Sequence, residues 1–528
     1  MTRSRLAPWI FPAIVVLAAA LRVPGLDLRP MHADEAVHAA KMGRLLEHDG
    51  YEYDPQEYHG PTLNYLTLLP ARLTGVARYA DLNEVTLRIV PAAMGVLLVA
   101  AHALLIPLLG FRAAAFAAVL TAVSPAMVYY SRYYIQETLL VTFSFGALVS
   151  IGRYLQAPRL AWAAGAGASI GLMYATKETW VIACGSMAVA LGLTVALARR
   201  RAHPAAASGT PRYGRHLLAA ILVAAAVSAL FFSSFLQYPR GVIDSVLAYR
   251  TYLGRAAGFQ SWHLHPWHYY LGLLLYFRAG EGPVWSEAVI LGLGLVGLAG
   301  VLMRTAAPGT NRQVPGLLAA YTVVMTVTYA AIPYKTPWCV LGFLHGFILL
   351  AGIGAARLIS VPRRAVTRTL VVAFLVAGAA HLGWQAWAGS FRYAADPRNP
   401  YVYAHTTTDV FIIAQRVDAL AMAHPLGFGM PIEVISRENL WPLPWYFRRL
   451  TAVRWATAVP ETGDPAPVIL TTPDMEEGVA RRLYAERPPG ERELYMNIFD
   501  APVELRPLVE VRGYAAKTLW DSFRQSGR

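Results

Sequence analysis

An acidic pair follows directly after the first hydrophobic segment of the chain. The stretch His32-Ala33-Asp34-Glu35-Ala36-Val37-His38 places two carboxyl groups and two histidines close together in sequence. A carboxylate in reach of a hydroxyl or amine can take its proton as that group attacks a substrate. Asp34 and Glu35 are therefore the predicted catalytic residues. Asp34 could instead be only an N-cap or first-turn acid that stabilises the start of a helix.

Three cationic side chains stand in short turns between hydrophobic segments. Arg132 lies in Ser131-Arg132-Tyr133, Lys177 in Thr176-Lys177-Glu178, and Lys335 in Tyr334-Lys335-Thr336. The chain contains only four lysines, and two of them occupy these turns. Fixed cations stabilise a phosphate group. Arg132, Lys177 and Lys335 are therefore predicted to bind the phosphate of a donor, although Arg132 could instead reach lipid headgroups and Lys177 could form an exposed pair with Glu178.

Three further polar residues are predicted to support the acceptor or a metal ion: Glu137, His38 and His59. Glu137 could orient the acceptor, or it could bind a divalent cation such as Mg²⁺ or Mn²⁺ together with Asp34. Simpler alternatives stay open, because Glu137 could cap a helix and His38 could hydrogen-bond Asp34 one turn earlier. The aromatic and His-rich stretch 262–270 is interpreted as an interfacial segment more readily than as a metal site.

The composition indicates that these residues are positioned by a membrane-embedded protein. The chain has 528 residues, of which 56% are hydrophobic and 15% charged, and its mean hydropathy is +0.40. Recurrent long apolar stretches predict a polytopic α-helical membrane protein. About eleven transmembrane helices are expected near 8–22, 85–108, 113–130, 138–155, 160–176, 179–198, 217–236, 284–303, 315–332, 338–356 and 369–388.

The distribution of charge predicts the orientation of the chain in the membrane. With the N-terminus in the cytoplasm, the expected cytoplasmic loops carry arginines and no acidic residue, as the positive-inside rule requires. The first helix is interpreted as a retained signal anchor. No basic stripe with interleaved aromatics is present, so a nucleic-acid partner is not expected. The predicted location is the plasma membrane.

Three regions are then expected outside the cell. A first outer loop spans 23–84 and a middle outer loop spans 237–283, both within a transmembrane domain of residues 1–388. Residues 389–528 have near-balanced charge, with 16 basic and 17 acidic side chains. Strands are predicted from short apolar runs at 431–435, 453–456, 468–470 and 494–499, and helices from the patterns at 406–422, 441–449 and 475–484. The alternation of the two predicts a small extracytoplasmic α/β domain.

At these residues the sequence resembles the GT-C glycosyltransferase superfamily, which includes the dolichyl-phosphate-mannose protein mannosyltransferases. The ordered stretches are similar, more narrowly, to a mannosyltransferase-like family labelled "flippase activity-associated protein". They are His32 to His38, Tyr53-Asp54-Pro55 with Tyr58-His59-Gly60-Pro61, Tyr129 to Arg132, Thr176 to Thr179, Tyr334 to Trp338, and Trp441-Pro442-Leu443-Pro444-Trp445-Tyr446.

The resemblance implies an inverting glycosyltransferase that uses a polyprenyl-phosphate sugar as donor and a glycan or protein as acceptor, as in protein glycosylation. In that family Asp34 matches the catalytic aspartate of the first loop, and Arg132 matches a phosphate-contacting arginine. Glu137 matches a nearby acid. Two alternatives stay open: a lipid-linked-sugar flippase or flippase-associated transporter without transferase activity, and a non-catalytic scaffold.

Overall fold

The computed structural model describes residues 7–48, 50–56, 59–200, 213–257, 263–303, 313–488, 490 and 492–526. Tyr58 and Trp262, which the sequence analysis quoted, lie outside these ranges. The chain divides into two compact units. The first comprises Met1–Leu26, His48–Thr74 and Val85–Tyr403, and the second comprises Asp27–Glu47, Gly75–Glu84 and Ala404–Arg528.

Helices account for most of the described chain. In sequence order they are α1 (Ala7–Arg22), α2 (Ala33–His48), α3 (Thr62–Leu73), α4 (Glu84–Ala101), α5 (Ile106–Leu109), α6 (Phe111–Val123), α7 (Pro125–Ser131), α8 (Glu137–Gln156), α9 (Leu160–Tyr174), α10 (Trp180–Arg199), α11 (Tyr213–Phe232), α12 (Gly241–Ala257), α13 (Tyr269–Leu275), α14 (Ala288–Leu302), α15 (Gln313–Ala331), α16 (Val340–Ser360), α17 (Ala365–Trp387), α18 (Asp409–Ala423), α19 (Leu443–Tyr446), α20 (Glu476–Ala480) and α21 (Lys517–Gln525).

Seven helical segments within the described ranges are long and apolar enough to cross a membrane. They are Glu84–Leu109, Glu137–Gln156, Trp180–Ala198, Tyr213–Phe232, Gln313–Ala331, Pro337–Ser360 and Ala365–Arg392. The pair α6 and α7 adds an eighth span bent by 59°. The other three predicted spans correspond to shorter apolar helices, Pro8–Arg22, Leu160–Tyr174 and Ala288–Leu302. The predicted polytopic helical fold is confirmed.

The sequence predicts one continuous span over 113–130, but the structure bends there between α6 and α7. Pro125 has no amide hydrogen for the helical ladder, and the chain breaks at Ser124. The buried Glu287 carboxylate satisfies the new helix start: it accepts a bond from the Ala126 N–H at 2.9 Å and from the Ser124 hydroxyl at 2.5 Å. Arg132, one of the predicted site residues, directly follows α7.

Small residues let the helices of the first unit pack closely. A Cβ atom added to Gly297 on α14 would lie 2.0 Å from the Leu350 carbonyl oxygen, and one on Gly354 of α16 would lie 2.1 Å from the Leu293 carbonyl oxygen. Close backbone approach through glycine is the usual way in which apolar helices associate in a membrane.

The second unit contains a six-stranded mixed sheet. Its strands are β1 (Ile432–Ile435), β2 (Val453–Ala456), β3 (Val468–Thr471), β4 (Tyr495–Asn497), β5 (Val503–Arg506) and β6 (Val509–Ala516). The order is β2-β1-β3-β6-β4, with β5 paired to β6. Strand β1 is parallel to β2 and β3, whereas β6 is antiparallel to β3, β4 and β5.

The division of the chain differs from the predicted boundary at 388/389. The second unit begins at Ala404 in the tail, and it also takes in Asp27–Glu47 and Gly75–Glu84 from the first outer loop. These two loop pieces join the tail because their backbone and side chains form hydrogen bonds with it, for example from the Met31 N–H to the Tyr446 hydroxyl at 2.9 Å. The residues of α2, including Asp34, therefore belong to the unit that holds the sheet.

Candidate functional site

The two predicted catalytic carboxylates lie side by side at the start of α2, but their surroundings differ. Glu35 is fully buried and pairs with Arg29 at 3.1 Å. It also accepts a hydrogen bond from the His32 N–H at 2.9 Å, while the His32 Nδ1 accepts one from the Asp34 N–H at 3.1 Å. This reciprocal arrangement is a capping box. It ties Glu35 into the fold and leaves the Asp34 side chain 48% exposed.

His38 lies one turn after Asp34 on α2, and its side chain is buried. The predicted role in acceptor support stays a prediction. Asp34, Glu35 and His38 belong to the second compact unit, and the other predicted site residues belong to the first.

Glu137 and Lys177 form a buried ion pair in the first unit. Glu137 is the first residue of α8, and Lys177 lies in the turn between α9 and α10. The Lys177 Nζ donates to the Glu137 Oε1, and both side chains are at most 7% exposed. The Glu137 Oε2 is buried and has no hydrogen-bond partner within the described residues. The structure thus brings together two residues that are 40 positions apart.

A second pair adjoins the first, because His59 Nδ1 lies 2.9 Å from the Glu178 Oε2. Burial alone would lower the pKa of the Lys177 ammonium, but the Glu137 and Glu178 carboxylates outweigh burial and raise that pKa above its usual value. Burial would raise the pKa of the Glu178 carboxyl, but His59 and then Lys177 lower it below its usual value.

Gly60 brings His59 to this pair. The Gly60 N–H donates to the Thr176 carbonyl at 3.0 Å, and a Cβ atom at residue 60 would lie 2.1 Å from the Ala175 carbonyl oxygen. A side chain at this position would therefore separate the first loop from the turn that carries Lys177 and Glu178.

A small cavity, with room for about one water molecule, opens beside the Glu137–Lys177 pair. Its remaining lining is mostly apolar and comes from α8, α10, α15 and the start of α16. The lining includes the aromatic rings of Tyr329 and Trp338. An apolar cleft with a small number of polar groups is the usual form of a ligand site.

The Arg132 guanidinium binds the end of α1. It donates to the carbonyl oxygens of Arg22 at 3.0 Å, Pro24 at 2.7 Å and Gly25 at 2.7 Å. The last carbonyls of a helix lack intrahelical partners, so a guanidinium there satisfies them. It also stacks 4.5 Å above the Phe391 ring. These contacts give Arg132 a positioning role, and its predicted phosphate contact stays a prediction.

Lys335 lies where two predicted outer segments meet. Its N–H donates to the His263 carbonyl at 2.9 Å, and the His265 N–H donates to the Pro333 carbonyl at 3.1 Å. The middle loop is thereby paired with the turn 333–337. The Lys335 side chain is 1% exposed, and burial lowers the pKa of its ammonium. His263 in turn shares a 2.7 Å hydrogen bond with the Tyr403 hydroxyl.

No group of three or more His, Cys, Asp or Glu side chains within the described ranges is arranged to hold a metal ion. Asp34 and Glu137, the predicted ligands, belong to different compact units, and Glu137 is already paired with Lys177. The Mg²⁺ or Mn²⁺ site predicted at Asp34 and Glu137 stays a prediction.

The sequence reasoning missed two residues that decide the environment of the acidic pair. Arg29 neutralises Glu35, and Tyr446 binds the backbone just before α2. The signal for Arg29 was its position six residues before Glu35. No local pattern could show that the Tyr446 hydroxyl accepts from Met31, because 415 residues separate them.

Comparisons with known proteins show which folds the chain is similar to. A family model described as dolichyl-phosphate-mannose-protein mannosyltransferase matches residues 59–231, which is less than half of the chain. No curated protein sequence matches.

Among solved structures, the chain is similar to ArnT from Cupriavidus metallidurans bound to undecaprenyl phosphate, with 14% identity and a TM-score of 0.62 over 97% of this chain and 98% of that one. It is also similar to the oligosaccharyltransferase of Archaeoglobus fulgidus, with 13% identity and a TM-score of 0.55 over 92% of this chain and 71% of that one. The predicted GT-C fold is confirmed.

Proposed function

We propose that this chain is an inverting glycosyltransferase that moves a sugar from a polyprenyl-phosphate donor to a glycan or protein acceptor at the outer face of the membrane. The observation that carries the proposal is the half-exposed Asp34 carboxylate beside the buried, ion-paired Glu35. The GT-C fold and the match of residues 59–231 to a mannosyltransferase model support it. So does the similarity to ArnT, whose structure is bound to undecaprenyl phosphate.

In the proposed reaction, Asp34 removes the proton of the acceptor hydroxyl or amine. The acceptor atom forms a bond to the anomeric carbon from the face opposite the phosphate. The bond between that carbon and the phosphate oxygen breaks, and the electron pair leaves with the polyprenyl phosphate. Arg132, Lys177 and Lys335 are the cations proposed to stabilise the negative charge on the departing phosphate.

Glu137 is proposed to orient the acceptor. Its Oε1 accepts from Lys177, and its Oε2 has no hydrogen-bond partner among the described residues. A buried carboxylate oxygen without a donor is unfavourable, so a hydroxyl or amine of a ligand in the adjoining cavity would satisfy it. His59 supports this arrangement through Glu178.

The experiment is a transfer assay with purified protein in detergent. The protein is incubated with a series of polyprenyl-phosphate sugars and acceptors, and the released polyprenyl phosphate and the anomeric configuration of the product are measured. Release with inverted configuration is expected. A flippase has no turnover without two compartments, so the absence of release with every donor, while the same protein moves the lipid across vesicle membranes, would contradict the proposal.

A further inference from the structure

The tail motif that the sequence singled out contacts the first outer loop. The Trp445 Nε1 donates to the Glu84 Oε1 at 2.7 Å. The Arg448 guanidinium donates to the Leu82 carbonyl at 2.7 and 3.0 Å, and it stacks 3.9 Å above the Trp445 ring. Trp445 is fully buried. The motif therefore holds one loop piece, 75–84, within the second unit.

The same motif and the first residues of the tail hold the other loop piece at Met31. The Met31 N–H donates to the Tyr446 hydroxyl at 2.9 Å, and the Thr406 hydroxyl donates to the Met31 carbonyl at 2.7 Å. The neighbouring His32 ring stacks on His405, with 6.2 Å between ring centroids. Met31 is fully buried. Tail side chains thus bind both backbone groups of a residue three positions before Asp34.

The position of Met31 also fixes the position of Asp34. The two are connected through the capping box described above, in which the His32 ring accepts a hydrogen bond from the Asp34 N–H. The far end of α2 is held as well. The Tyr79 N–H donates to the Glu47 Oε1 at 2.7 Å, and the Tyr79 ring packs on Trp445 at 6.0 Å between centroids. Both ends of α2 are therefore linked to the tail.

We propose that the tail of the second unit positions Asp34 for catalysis, with Thr406 and Tyr446 as positioning residues. The inference rests on the proposed function, because it assigns the tail a task in that reaction. A shift of about 1 Å at a reacting group can lower a rate about 100-fold. Loosening the hold on Met31 should therefore lower kcat and leave the KM for the donor nearly unchanged.

The test compares neighbouring threonines in the full-length protein. Thr406→Val removes the hydroxyl that binds Met31, and Thr406→Ser restores it. Thr407→Val is the matched control, because the Thr407 hydroxyl donates to the Glu504 carbonyl at the start of β5 and not to the loop. Tyr446→Phe is compared in the same way with Tyr495→Phe, whose hydroxyl donates to the Ala466 carbonyl at 3.0 Å.

Two readouts are taken for each variant: kcat and KM for transfer, and hydrogen–deuterium exchange of peptides covering residues 27–40. Thr406→Val and Tyr446→Phe are expected to lower kcat about 10- to 100-fold and to speed exchange at Met31. Thr406→Ser, Thr407→Val and Tyr495→Phe should resemble the unsubstituted protein in both readouts.

Unchanged exchange at Met31 in Thr406→Val would overturn the inference, because the tail would then not hold the loop. Faster exchange with an unchanged kcat would overturn it too, because the hold would not matter for the reaction. If the unsubstituted protein transfers no sugar, the proposed function itself fails, and this outcome is distinct from both.

Discussion

At the start of α2, one carboxylate caps the helix and its neighbour is half exposed. Glu35 has Arg29 and the His32 N–H as partners, so its charge is used within the fold. Asp34 gives its backbone N–H to His32 and keeps its side chain accessible. A general base must reach its substrate, so the two adjacent acids are assigned different tasks by their surroundings.

The Lys177–Glu137 pair should matter for stability as a unit. Removing one partner leaves a buried charge uncompensated, so Lys177→Ala is expected to cost about 3–5 kcal/mol. The double change Lys177→Met with Glu137→Leu should recover most of that loss, because apolar residues of similar size replace a buried pair well. Thermal unfolding in detergent measures the effect.

The control for that pair is Asp81→Asn. Asp81 pairs with Arg78 at 2.9 Å, but their side chains are 46% and 71% exposed. Ion pairs between exposed side chains contribute little to stability, so little change in the unfolding temperature is expected. Equal losses of stability from Lys177→Ala and Asp81→Asn would contradict the stabilising role of the buried Lys177–Glu137 pair.

From the His59–Glu178 pair we expect the stability of the fold to depend on pH. The pKa of the Glu178 carboxyl is lower in the folded chain than its usual value of 4.5. The stability that this group contributes is therefore present above pH 4.5 and is lost as the pH falls through its lowered pKa. The unfolding temperature should fall less on acidification in Glu178→Gln than in the unsubstituted protein.

The exposed carboxyl of Glu281 gives the matched control, since it is 100% exposed. Glu281→Gln should keep the acid dependence of the unsubstituted protein. The same acid dependence in Glu178→Gln would show that the pair with His59 does not stabilise the fold.

At the scale of elements, α2 is packed so closely that its glycine cannot carry a side chain. A Cβ atom at Gly43 would lie 2.4 Å from the Tyr79 ring. Gly43→Ala should therefore displace α2, lower the unfolding temperature and reduce transfer. Gly185→Ala on α10 is the control, because nothing lies within 4 Å of its added Cβ, and it should be neutral or slightly stabilising. Equal unfolding temperatures for the two variants would contradict the packing of α2.

Local sequence patterns predicted several elements of the second unit correctly, where the spacing of apolar residues distinguishes a strand from a helix. The runs at 431–435, 453–456 and 468–470 form β1, β2 and β3, and the helical pattern 406–422 forms α18. The hairpin of β5 and β6 was missed, although residues 503–506 and 509–512 alternate between apolar and charged side chains as half-buried strands do. The break before α7 had a signal in Pro125, but the apolar run across it favoured a single span.

At the scale of the whole molecule, the sequence also predicts which end of each span faces the cytoplasm. The arginine-rich loops should lie inside, and the tail should lie outside. A cysteine introduced by Leu508→Cys, at a side chain that is 95% exposed, should react with an impermeant maleimide added to intact cells. Ser360→Cys, in the last residue of α16, should react only after permeabilisation. The reverse pattern would contradict the orientation.

The candidate site could be predicted only in part, because its composition depends on contacts distant in sequence. The types of residue at 34, 137, 177 and 335 pointed to carboxylate and phosphate chemistry. The pairing of Glu137 with Lys177 and the hold of Tyr446 on Met31 arise from tertiary packing, which no local pattern encodes. Likewise, the membership of α2 in the same unit as the sheet follows from contacts with the tail.

The most direct measurement of the central claim is the rate at which purified Asp34→Asn releases polyprenyl phosphate, beside the unsubstituted protein and Glu35→Gln at matched amounts of folded protein. Loss of a general base lowers a rate about 100- to 10,000-fold. Asp34→Asn should show that loss with an unchanged unfolding temperature, whereas Glu35→Gln should lower the unfolding temperature. Release by Asp34→Asn at the rate of the unsubstituted protein would contradict the account.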